Sequence, residues 1–515
     1  MLPVLQKIPY KYEEHTIDFG GINRTSKKGD GELREMLNLF LDENQVLSSR
    51  NPRGTFKDIA GITAFWTYHN STGSHEFWIK EKKFYFDGVE KGTVTKDIPR
   101  ATLMNDNILF APDMSVYDIV EDKFTSVSDV PFSYSGAIET CYNYIQTQDD
   151  HNFTGELKTG DRVRLIGCGT NDGVYKIKQL GYGGVRVEFD TTLPNESSVI
   201  HNKATVTTNI TTSKKLDFVI EHNNRIWGTS GNTIYGSRQG SLFDFDTFEG
   251  LNTDSYAVDV GTEGEFTGIA QYNGKLIFFK QECIHILYGD KPKNFSLTTH
   301  QLKGVKRGSD LSIVKHNDYI YYQSYGDLVA YNGYTVNKMD SKLGDFKFKE
   351  VVSGTDGYLL YFCFKLMDNT YENYSYNPKS GEWFKQDKLK VNLFANFNDE
   401  ILLVNEEKVY RSGGTSSEVV PFRAEFGPFN EYTPKLKGPS KLNLACELGE
   451  GAAMQVKIKH DNEPYQVIAT LNPSEKYHRI PIQPKRCHEF SILLEGTGKV
   501  SIHSLTRTFR VGSDK

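Results

Sequence analysis

Short apolar runs recur along most of the chain, and each reaches an Asn- or Asp-containing turn that is followed by a second run rich in aromatic residues. Asn, Asp and Gly are the residues that best tolerate the positive φ of a tight hairpin turn. Each unit therefore predicts two antiparallel strands. The clearest units are residues 103–110, 220–227, 270–279, 314–322, 353–361 and 395–403, and a looser copy opens the series at residues 65–78.

The spacing of these turns is nearly regular. The turn residues are Asn223, Asn273, Asn317, Asp356 and Asn398. They follow one another at intervals of roughly 40–50 residues, the period typical of a four-stranded propeller blade. The pattern predicts a β-propeller of about seven blades over residues 61–132 and 214–414, with six or eight blades left open.

One interval breaks the pattern, because the distance from Asn105 to Asn223 is more than twice as long as the others. Residues 133–213 fill it with short alternating strands that have Gly at each bend, which predicts a small inserted β-barrel domain. Two further degenerate blades are the alternative. Beyond residue 414, alternating apolar and polar residues with a turn about every 12 residues predict a C-terminal β-sandwich over residues 415–515.

The first 60 residues lack this regularity. Residues 31–41 could form a helix of about two to three turns, or an ordered strap in its place. The Gly-rich and charged stretches around them cannot fold alone, so we expect residues 1–60 to be a docking arm. Together the patterns predict an all-β chain: a β-propeller of about seven blades, an inserted small β-barrel domain and a C-terminal β-sandwich.

Composition agrees with a sheet protein and limits its partners. Aromatic residues make up 13% of the chain and glycines number 45, which favours sheets joined by tight turns. The 60 basic and 66 acidic residues give a net charge of −6, which argues against a surface that coats nucleic acid but allows an acidic channel along which DNA slides.

The six cysteines lack a Cys-x-x-Cys pair and predict reduced thiols in a protein made in the cytosol. We expect neither a membrane span nor a signal peptide.

Residue types that carry chemistry are present, but no pattern joins them. Cys283 and His285 would share one face of a strand, yet, like Cys487-His488, they have no visible second half of a metal site, so a buried thiol and a hydrogen-bonded imidazole are expected. Residues 303–308 could contact phosphate, and a solvated loop is expected there. The carboxylates that could serve acid–base catalysis are expected to be solvated loop residues instead; they are Asp42, Glu43, Asp310, Asp340, Asp345 and Glu350. The tryptophans that could stack on sugars are expected to lie in the blade cores; they are Trp66, Trp78, Trp227 and Trp383.

Motifs for a nucleophile elbow, a phosphate-binding loop or a calcium loop do not occur in the sequence. The sequence therefore predicts that the protein is not an enzyme, that it uses no cofactor, and that it has no catalytic, cofactor-binding or metal-binding residues.

Three regions resemble a known family. The first is Thr16-Ile-Asp-Phe-Gly-Gly-Ile-Asn-Arg24 with Glu35-Met36, Asn38 and Leu47-Ser-Ser-Arg-Asn-Pro-Arg53, the second is Gly304-Val-Lys-Arg-Gly-Ser309, and the third is the ending, residues 480–490, 496–505 and 512–514. They resemble the β-propeller virion proteins of tailed bacteriophages, a family often called phage stabilization protein and similar to the hub or nozzle proteins of short-tailed phages. The resemblance covers nearly the whole chain except residues 133–213.

The resemblance implies a homo-oligomeric ring on the tail side of the portal vertex. Such a ring would contact the portal, the adaptor and other tail proteins, retain the packaged DNA, and touch the genome as it passes through the ejection channel. The protein would be made in the host cytoplasm and reside in the virion tail, and no catalytic residues come with the family. Two other functions stay open: a receptor-binding or baseplate module that grips host surface glycans, and an intracellular propeller scaffold unrelated to viruses.

Overall fold

The protein is all-β, as the sequence predicts, with strands joined by turns and by short 3-10 helices. Among the described residues these helices are Gly169–Asn171, Tyr182–Gly184, Pro292–Asn294, Asp310–Ser312 and Asp340–Leu343. The computed structural model describes residues 11–26, 29–42, 44–70, 73–125, 132–157, 159, 161–207, 214–398, 400–414, 416, 418–431, 433–473 and 475–512.

The N-terminal segment forms strands. They are β1 (Lys11–Thr16), β2 (Leu33–Leu37), β3 (Leu39–Leu41), β4 (Leu47–Ser49) and β5 (Thr55–Lys57). The helix considered for residues 31–41 is absent from this described stretch, because Asn38 has a φ of 55° and separates β2 from β3. Tertiary pairing overrides the helical propensity of the segment.

Two four-stranded sheets follow, and successive strands are neighbours in each. The first contains β6 (Ile62–Asn70), β7 (Gly73–Lys80), β8 (Lys83–Phe86) and β9 (Val89–Thr93), and the second β10 (Arg100–Met104), β11 (Asn107–Ala111), β12 (Ser115–Asp118) and β13 (Lys123–Thr125).

A closed six-stranded barrel comes next in the chain, which confirms the small inserted β-barrel. Its strands are β14 (Ser133–Cys141), β15 (Tyr144–Thr147), β16 (Arg162–Ile166), β17 (Gly173–Gly181), β18 (Arg186–Phe189) and β19 (Val199–Thr207). Side chains from its strands, among them Ile138, Val163 and Val187, fill a core of its own. The alternative of two degenerate blades is therefore excluded for residues 133–207.

Five further four-stranded sheets follow, each in chain order except the last. The first two contain β20 (Phe218–Glu221), β21 (Ile226–Ser230), β22 (Thr233–Gly236) and β23 (Tyr256–Asp259), and β24 (Phe266–Tyr272), β25 (Lys275–Lys280), β26 (Ile284–Tyr288) and β27 (Ser296–His300). The next two contain β28 (Val314–His316), β29 (Tyr319–Ser324), β30 (Asp327–Tyr331) and β31 (Val336–Lys338), and β32 (Phe348–Thr355), β33 (Leu360–Leu366), β34 (Tyr371–Asn377) and β35 (Glu382–Lys385). The last contains β36 (Leu393–Phe397), β37 (Glu400–Val404) and β38 (Val409–Arg411), and β5 from the N-terminal segment completes it in the order β36-β37-β38-β5.

The turn chemistry of these sheets is as predicted. The turn residues Asn105, Asn223, Asn273, Asn317 and Asn398 all have positive φ, between 46° and 54°. In the unit around Asp356 the positive φ falls on Gly357 instead, at 92°.

The C-terminal strands form two sheets that share one core. They are β39 (Pro421–Phe429), β40 (Lys437–Leu448), β41 (Ala453–His460), β42 (Gln466–Leu471), β43 (Tyr477–Pro481), β44 (Phe490–Thr497) and β45 (Val500–Val511). One sheet has the order β3-β4-β45-β40-β43, with β1 also paired to β45, and the other has the order β2-β39-β44-β41-β42.

This sandwich incorporates most of the predicted docking arm. β1 pairs with β45, β2 with β39 and β4 with β45, so these strands of the N-terminal segment belong to the same sheets as the last strands of the chain. The predicted boundary at residue 60 does not separate an independent segment, since Leu33, Met36 and Leu47 are buried in the shared core. Residues 1–10 lie outside the described residues, and docking onto another protein stays a prediction.

The chain divides into two compact units, Met1–Glu90 with Tyr272–His285 and Thr299–Lys515, and Lys91–Gln271 with Ile286–Thr298. In the first, one core runs from the sandwich to β33 and β35, where Phe362 and Trp383 contribute to it. In the second, the sheets β10–β13 and β20–β23 pack on each other although the barrel separates them in sequence. Among the described residues, no helix is both long enough and apolar enough for a membrane crossing.

Candidate functional site

The carboxylates considered for acid–base catalysis have separate partners. Asp42 accepts the backbone N–H groups of Asn44 and Val46, each at 2.9 Å, in a local turn. The other carboxylates with ion pairs contact three different lysines: Asp340 with Lys338 at 3.7 Å, Asp345 with Lys347 at 2.8 Å, and Glu350 with Lys365 at 3.3 Å. Asp310 lies in a 3-10 helix, and Glu43 is outside the described residues.

Cys283 and His285 lie side by side, with 3.5 Å between Sγ and Nε2. His285 Nδ1 is 2.9 Å from Thr299 Oγ1. Burial lowers the pKa of His285 to about 4, so the imidazole is neutral at pH 7. Cys487 is buried and its thiol donates to the Lys437 carbonyl, while His488 is exposed. The described part of the chain contains no group of three or more His, Cys, Asp or Glu side chains that could hold a metal ion.

Three of the four tryptophans are core residues, as expected. Trp78, Trp227 and Trp383 are at most 3% exposed. Trp66 is half-buried and stacks on Phe77, with 5.3 Å between ring centroids. None of the first three offers a ring face to a ligand from solvent.

The basic segment at residues 303–308 is packed at its centre, so the prediction of a solvated loop is wrong for residues 304–306. Val305 is fully buried, and Gly304 lies so close to the preceding turn that a Cβ there would be 2.2 Å from the Lys280 carbonyl oxygen. Lys306 Nζ donates to the carbonyl of Lys349. The resemblance to a family segment at this position therefore coincides with a close contact between neighbouring sheets.

The Phe-Gly-Gly-Ile-Asn-Arg stretch runs along the last strand of the sheet β32–β35. The Ile22 N–H donates to the Trp383 carbonyl at 2.8 Å. A Cβ on Gly21 would lie 2.5 Å from that carbonyl oxygen and 2.8 Å from the Trp383 nitrogen. Only glycine lets the two backbones approach this closely.

Arg24 ends this stretch and binds the same sheet. Its guanidinium donates to both carboxylate oxygens of Glu35, at 2.7 and 3.0 Å, and to the Tyr374 hydroxyl at 3.1 Å. Its backbone N–H donates to the Lys342 carbonyl at 2.8 Å. Since Glu35 is on β2 of the sandwich and Tyr374 is on β34, one side chain bridges the two parts.

A second contact, which we call the arginine clamp, is formed by Arg50, Arg53, Asp387 and Glu418. Arg53 Nε donates to Asp387 Oδ2 at 2.6 Å, and Arg50 Nη2 is 3.4 Å from the same oxygen. Arg50 also pairs with Glu418 at 2.8 Å, and the Arg53 N–H donates to Glu418 at 2.8 Å. Burial alone would raise the pKa of Asp387, but the charge and hydrogen bond of Arg53, aided by Arg50, hold that pKa below its ordinary value.

A third buried contact fixes the two ends of the chain to each other. The Arg507 side chain is 2% exposed and donates to Thr16, Asp30 and Glu431 at 2.8 to 3.0 Å, with its guanidinium 3.8 Å from the centroid of the Phe429 ring. Burial raises the pKa of Glu431 above its ordinary value, even beside this arginine.

The sequence patterns contain the arginines of the first two contacts but give no indication of their partners. Asp387 is 334 positions from Arg53 in the chain, and Glu418 is 368 positions from Arg50. Arg507 lies in an alternating strand pattern that carries no sign of a buried ion pair. The spacing Arg50-x-x-Arg53 next to a Pro was the available signal, since two cations so close together require counter-charges when they are buried.

The barrel carries an aromatic and cationic patch on its outer face, which we call the tyrosine platform: Tyr144, Gln146, Tyr182 and Arg186. The Arg186 guanidinium lies 4.0 Å from the centroid of the Tyr144 ring and 5.6 Å from that of Tyr182. Gln146 Oε1 accepts from Arg186 Nη2 at 3.0 Å and fixes its orientation. Tyr182 is 77% exposed, so its ring is available to a ligand.

Comparison with known proteins gives distant structural likenesses. No protein-family model matches the chain, and no curated protein matches it. Among solved structures, a chain of the mitotic checkpoint complex matches at 10% identity over 62% of this chain and 87% of that chain, with a TM-score of 0.30. Hsv2 of Kluyvelomyces marxianus matches at 11% identity over 71% and 93%, with a TM-score of 0.26.

The comparison also corrects one expectation from the sequence, that the chain is not an enzyme. An exo-β-1,3-galactanase from Phanerochaete chrysosporium, with β-1,3-galactotriose, matches at 8% identity over 56% of this chain and 94% of that chain, with a TM-score of 0.22. A likeness at this level attributes no activity to the present chain.

Proposed function

We propose that the chain is a structural virion protein of a tailed bacteriophage. In this proposal it forms an oligomeric tail hub or nozzle ring below the portal and adaptor, retains the packaged DNA, and lines part of the ejection channel. The seven four-stranded sheets are taken as the blades of one propeller. The net charge of −6 suits a channel wall along which phosphates slide without being held.

The observation that carries the proposal is the meeting of the two terminal regions that resemble the phage family. Leu47 on β4 pairs with Ile502 on β45, and Ser48 and Ser501 have their hydroxyl oxygens 3.1 Å apart. The Val500 N–H donates to Ser49 Oγ at 3.0 Å. Regions at opposite ends of the chain thus form one set of contacts, which supports treating them as parts of a single structural signature.

In the proposal, the arginine clamp and the Arg24 contact hold the sandwich and the sheet β32–β35 together under mechanical load. Both join the sandwich to the sheet β32–β35 through buried or half-buried charge-assisted hydrogen bonds, which are stronger than neutral ones. A ring component that resists the pressure of packaged DNA needs its domains fixed in this way.

The test is immunogold electron microscopy of particles from the source culture, with antibody raised against this chain. We expect label at the head–tail vertex. Label at the distal tip would overturn the portal-proximal position, and particles without label, from cells that contain the protein, would overturn the virion assignment.

The tyrosine platform favours a second candidate function, a receptor-binding or baseplate module that grips host surface glycans. Sugar rings stack on exposed aromatic faces, and Arg186 and Gln146 offer polar groups beside such a face. In this function Tyr182→Ala abolishes saturable binding of the full chain to host glycans. Tyr358→Ala, which removes another exposed tyrosine, should leave it unchanged. The same loss with both variants, or no binding by the wild-type chain, would contradict this function.

A further inference from the structure

The outer face of the six-stranded sandwich sheet contains a cleft of about 440 Å³. Its lining residues come from three strands: Lys11 on β1, Ser440 and Lys441 on β40, and Arg479 and Pro481 on β43. Three of these lining residues are cations. No residue of the arginine clamp or the tyrosine platform takes part in it.

One carboxylate serves two of these cations. Glu13 Oε1 lies 3.1 Å from Lys11 Nζ and 3.7 Å from Lys441 Nζ. The hydrogen bond and charge of Lys11, followed by the charge of Lys441, lower the pKa of Glu13, so it is ionised at neutral pH. Since two ammonium groups share one carboxylate, both retain N–H donors for another acceptor.

The third cation has no counter-charge among the residues that the structure describes. Arg479 makes no hydrogen bond or ion pair with any side chain in those ranges, and it is exposed. The guanidinium offers a planar set of donors that matches the oxygens of a phosphate. Three cations beside a single carboxylate, Glu13, leave the cleft with an excess of positive charge.

The sheet fixes the spacing of these groups. Lys441 is opposite Thr508 on one side and Pro481 on the other, and Asn443 is opposite Arg479. Thr508 is also opposite Glu13 and donates from Oγ1 to Glu13 Oε1 at 3.3 Å. All of these residues project from the same face of neighbouring strands, so the cations are held on a rigid surface and not on a loop.

We propose that this cleft binds a phosphate monoester. The phosphoryl group, which carries about −1.5 to −2 charges at pH 7, is bound by Arg479 and the free N–H donors of Lys441 and Lys11. The volume is within the range of small-ligand sites and larger than a bare phosphate requires. The organic part of the ester occupies the remainder, against Pro481 and the Ser440 hydroxyl. This inference is independent of the virion assignment.

The test is isothermal titration calorimetry of the full chain at low ionic strength, with glycerol 3-phosphate, inorganic phosphate and glycerol as probes. We expect saturable binding of glycerol 3-phosphate, weaker binding of inorganic phosphate and none of glycerol. Binding should weaken as NaCl is added, because the site is open to solvent. Equal affinity for the two phosphates would overturn the assignment to an ester, and no saturable binding of either would overturn the site.

Variants separate the cleft from general surface charge. Arg479→Gln and Lys441→Gln should each weaken binding by about tenfold or more, as expected for the loss of a charge-assisted hydrogen bond, and Arg479→Lys should retain part of it. Lys499→Gln is the matched control, because Lys499 is an exposed cation beside the opposite end of β45. Equal weakening in the control would overturn the proposal. The thermal midpoint of Arg479→Gln should match the wild type, since the side chain is exposed.

Discussion

At the residue scale, Asp387 connects the N-terminal segment to the sheet β32–β35, and its protonation state affects stability. Arg53 and Arg50 lower its pKa in the folded protein relative to the unfolded chain. A group with a lowered folded pKa stabilises the fold above its unfolded pKa, about 4 for Asp, and this contribution is lost as the pH falls through the folded value. The clamp should therefore weaken in acid.

Asp387→Asn should lower the free energy of unfolding by about 3–5 kcal/mol at pH 7, because two buried guanidinium groups lose their shared partner. The difference from wild type should shrink as the pH falls below about 4, the unfolded pKa of Asp, because the unfolded chain then takes up a proton that folded Asp387, with its lowered pKa, does not. Denaturant unfolding at several pH values measures both. Asp345→Asn, at an exposed ion pair, is the control and should leave stability nearly unchanged. A difference that is the same at pH 7 and pH 3 would contradict the role of the charge.

Gly21 has a role that depends on its missing side chain. Gly21→Ala places a Cβ against the Trp383 backbone and should destabilise the protein by about 1–3 kcal/mol, the usual cost of overpacking. Gly438→Ala is the matched control, since a Cβ there meets nothing within 4 Å. Thermal unfolding followed by circular dichroism compares the two. Equal midpoints for both variants would show that the strand can move away from Trp383 at no cost.

At the scale of elements, the hairpins could be predicted because their determinants are local. A turn at Asn223 or Asn317 requires only two or three adjacent residues of the right type, and Gly at each bend marks the barrel. The strands β2 and β3 could not, because β39, the partner of β2, lies near the other end of the chain and residues 33–41 also suit a helix. The arginine clamp was unpredictable for the same reason: its cations and its carboxylates share no local pattern.

The barrel should be removable as a unit. The sheets on either side of it contact each other directly, with the Glu221 N–H donating to Thr102 Oγ1 at 2.9 Å and the side chains of Asn105 and Asn224 2.9 Å apart. Replacing residues 133–207 with a short Gly/Ser linker should leave the unfolding midpoint of the remainder within a few degrees of the wild type.

The complementary fragment, residues 132–207, should fold alone, because its strands close on themselves around their own core. Dispersed amide signals in its NMR spectrum and a cooperative melt are the expected results. A remainder that aggregates, together with an unfolded fragment, would mean that the two depend on each other for folding.

At the scale of the whole molecule, the pairing of β5 with β38 joins the N-terminal segment to a sheet formed much later in the chain. Phe56 on β5 packs between Phe65 and Phe397, with 5.9 and 5.0 Å between ring centroids, and the Arg411 guanidinium is 5.0 Å from the centroid of the Phe56 ring. One side chain thus contacts both the first and the last of the seven four-stranded sheets in the described part of the chain.

Phe56→Ala should cost about 2 kcal/mol or more, somewhat less than a fully buried Phe because the ring is half-buried. Hydrogen exchange should then increase together in β6, β36 and β38, since all three lose a contact with the Phe56 ring. Phe248→Ala, at a position 61% exposed, serves as the control and should leave exchange unchanged. Faster exchange confined to β5 would indicate that Phe56 does not stabilise the neighbouring strands.

The placement of β2, β3 and β4 also has a consequence during translation. β2 and β4 are synthesised long before their partners β39 and β45, which lie near the other end of the chain. At about 5–20 residues per second, synthesis keeps their edges unpaired for roughly 20–80 s. Throughout that interval Leu33, Met36 and Leu47 have no core to enter, so the nascent chain should depend on a chaperone that holds its N-terminal strands. A ribosome that stops before residue 421 releases a chain in which β2 and β4 never pair with β39 and β45.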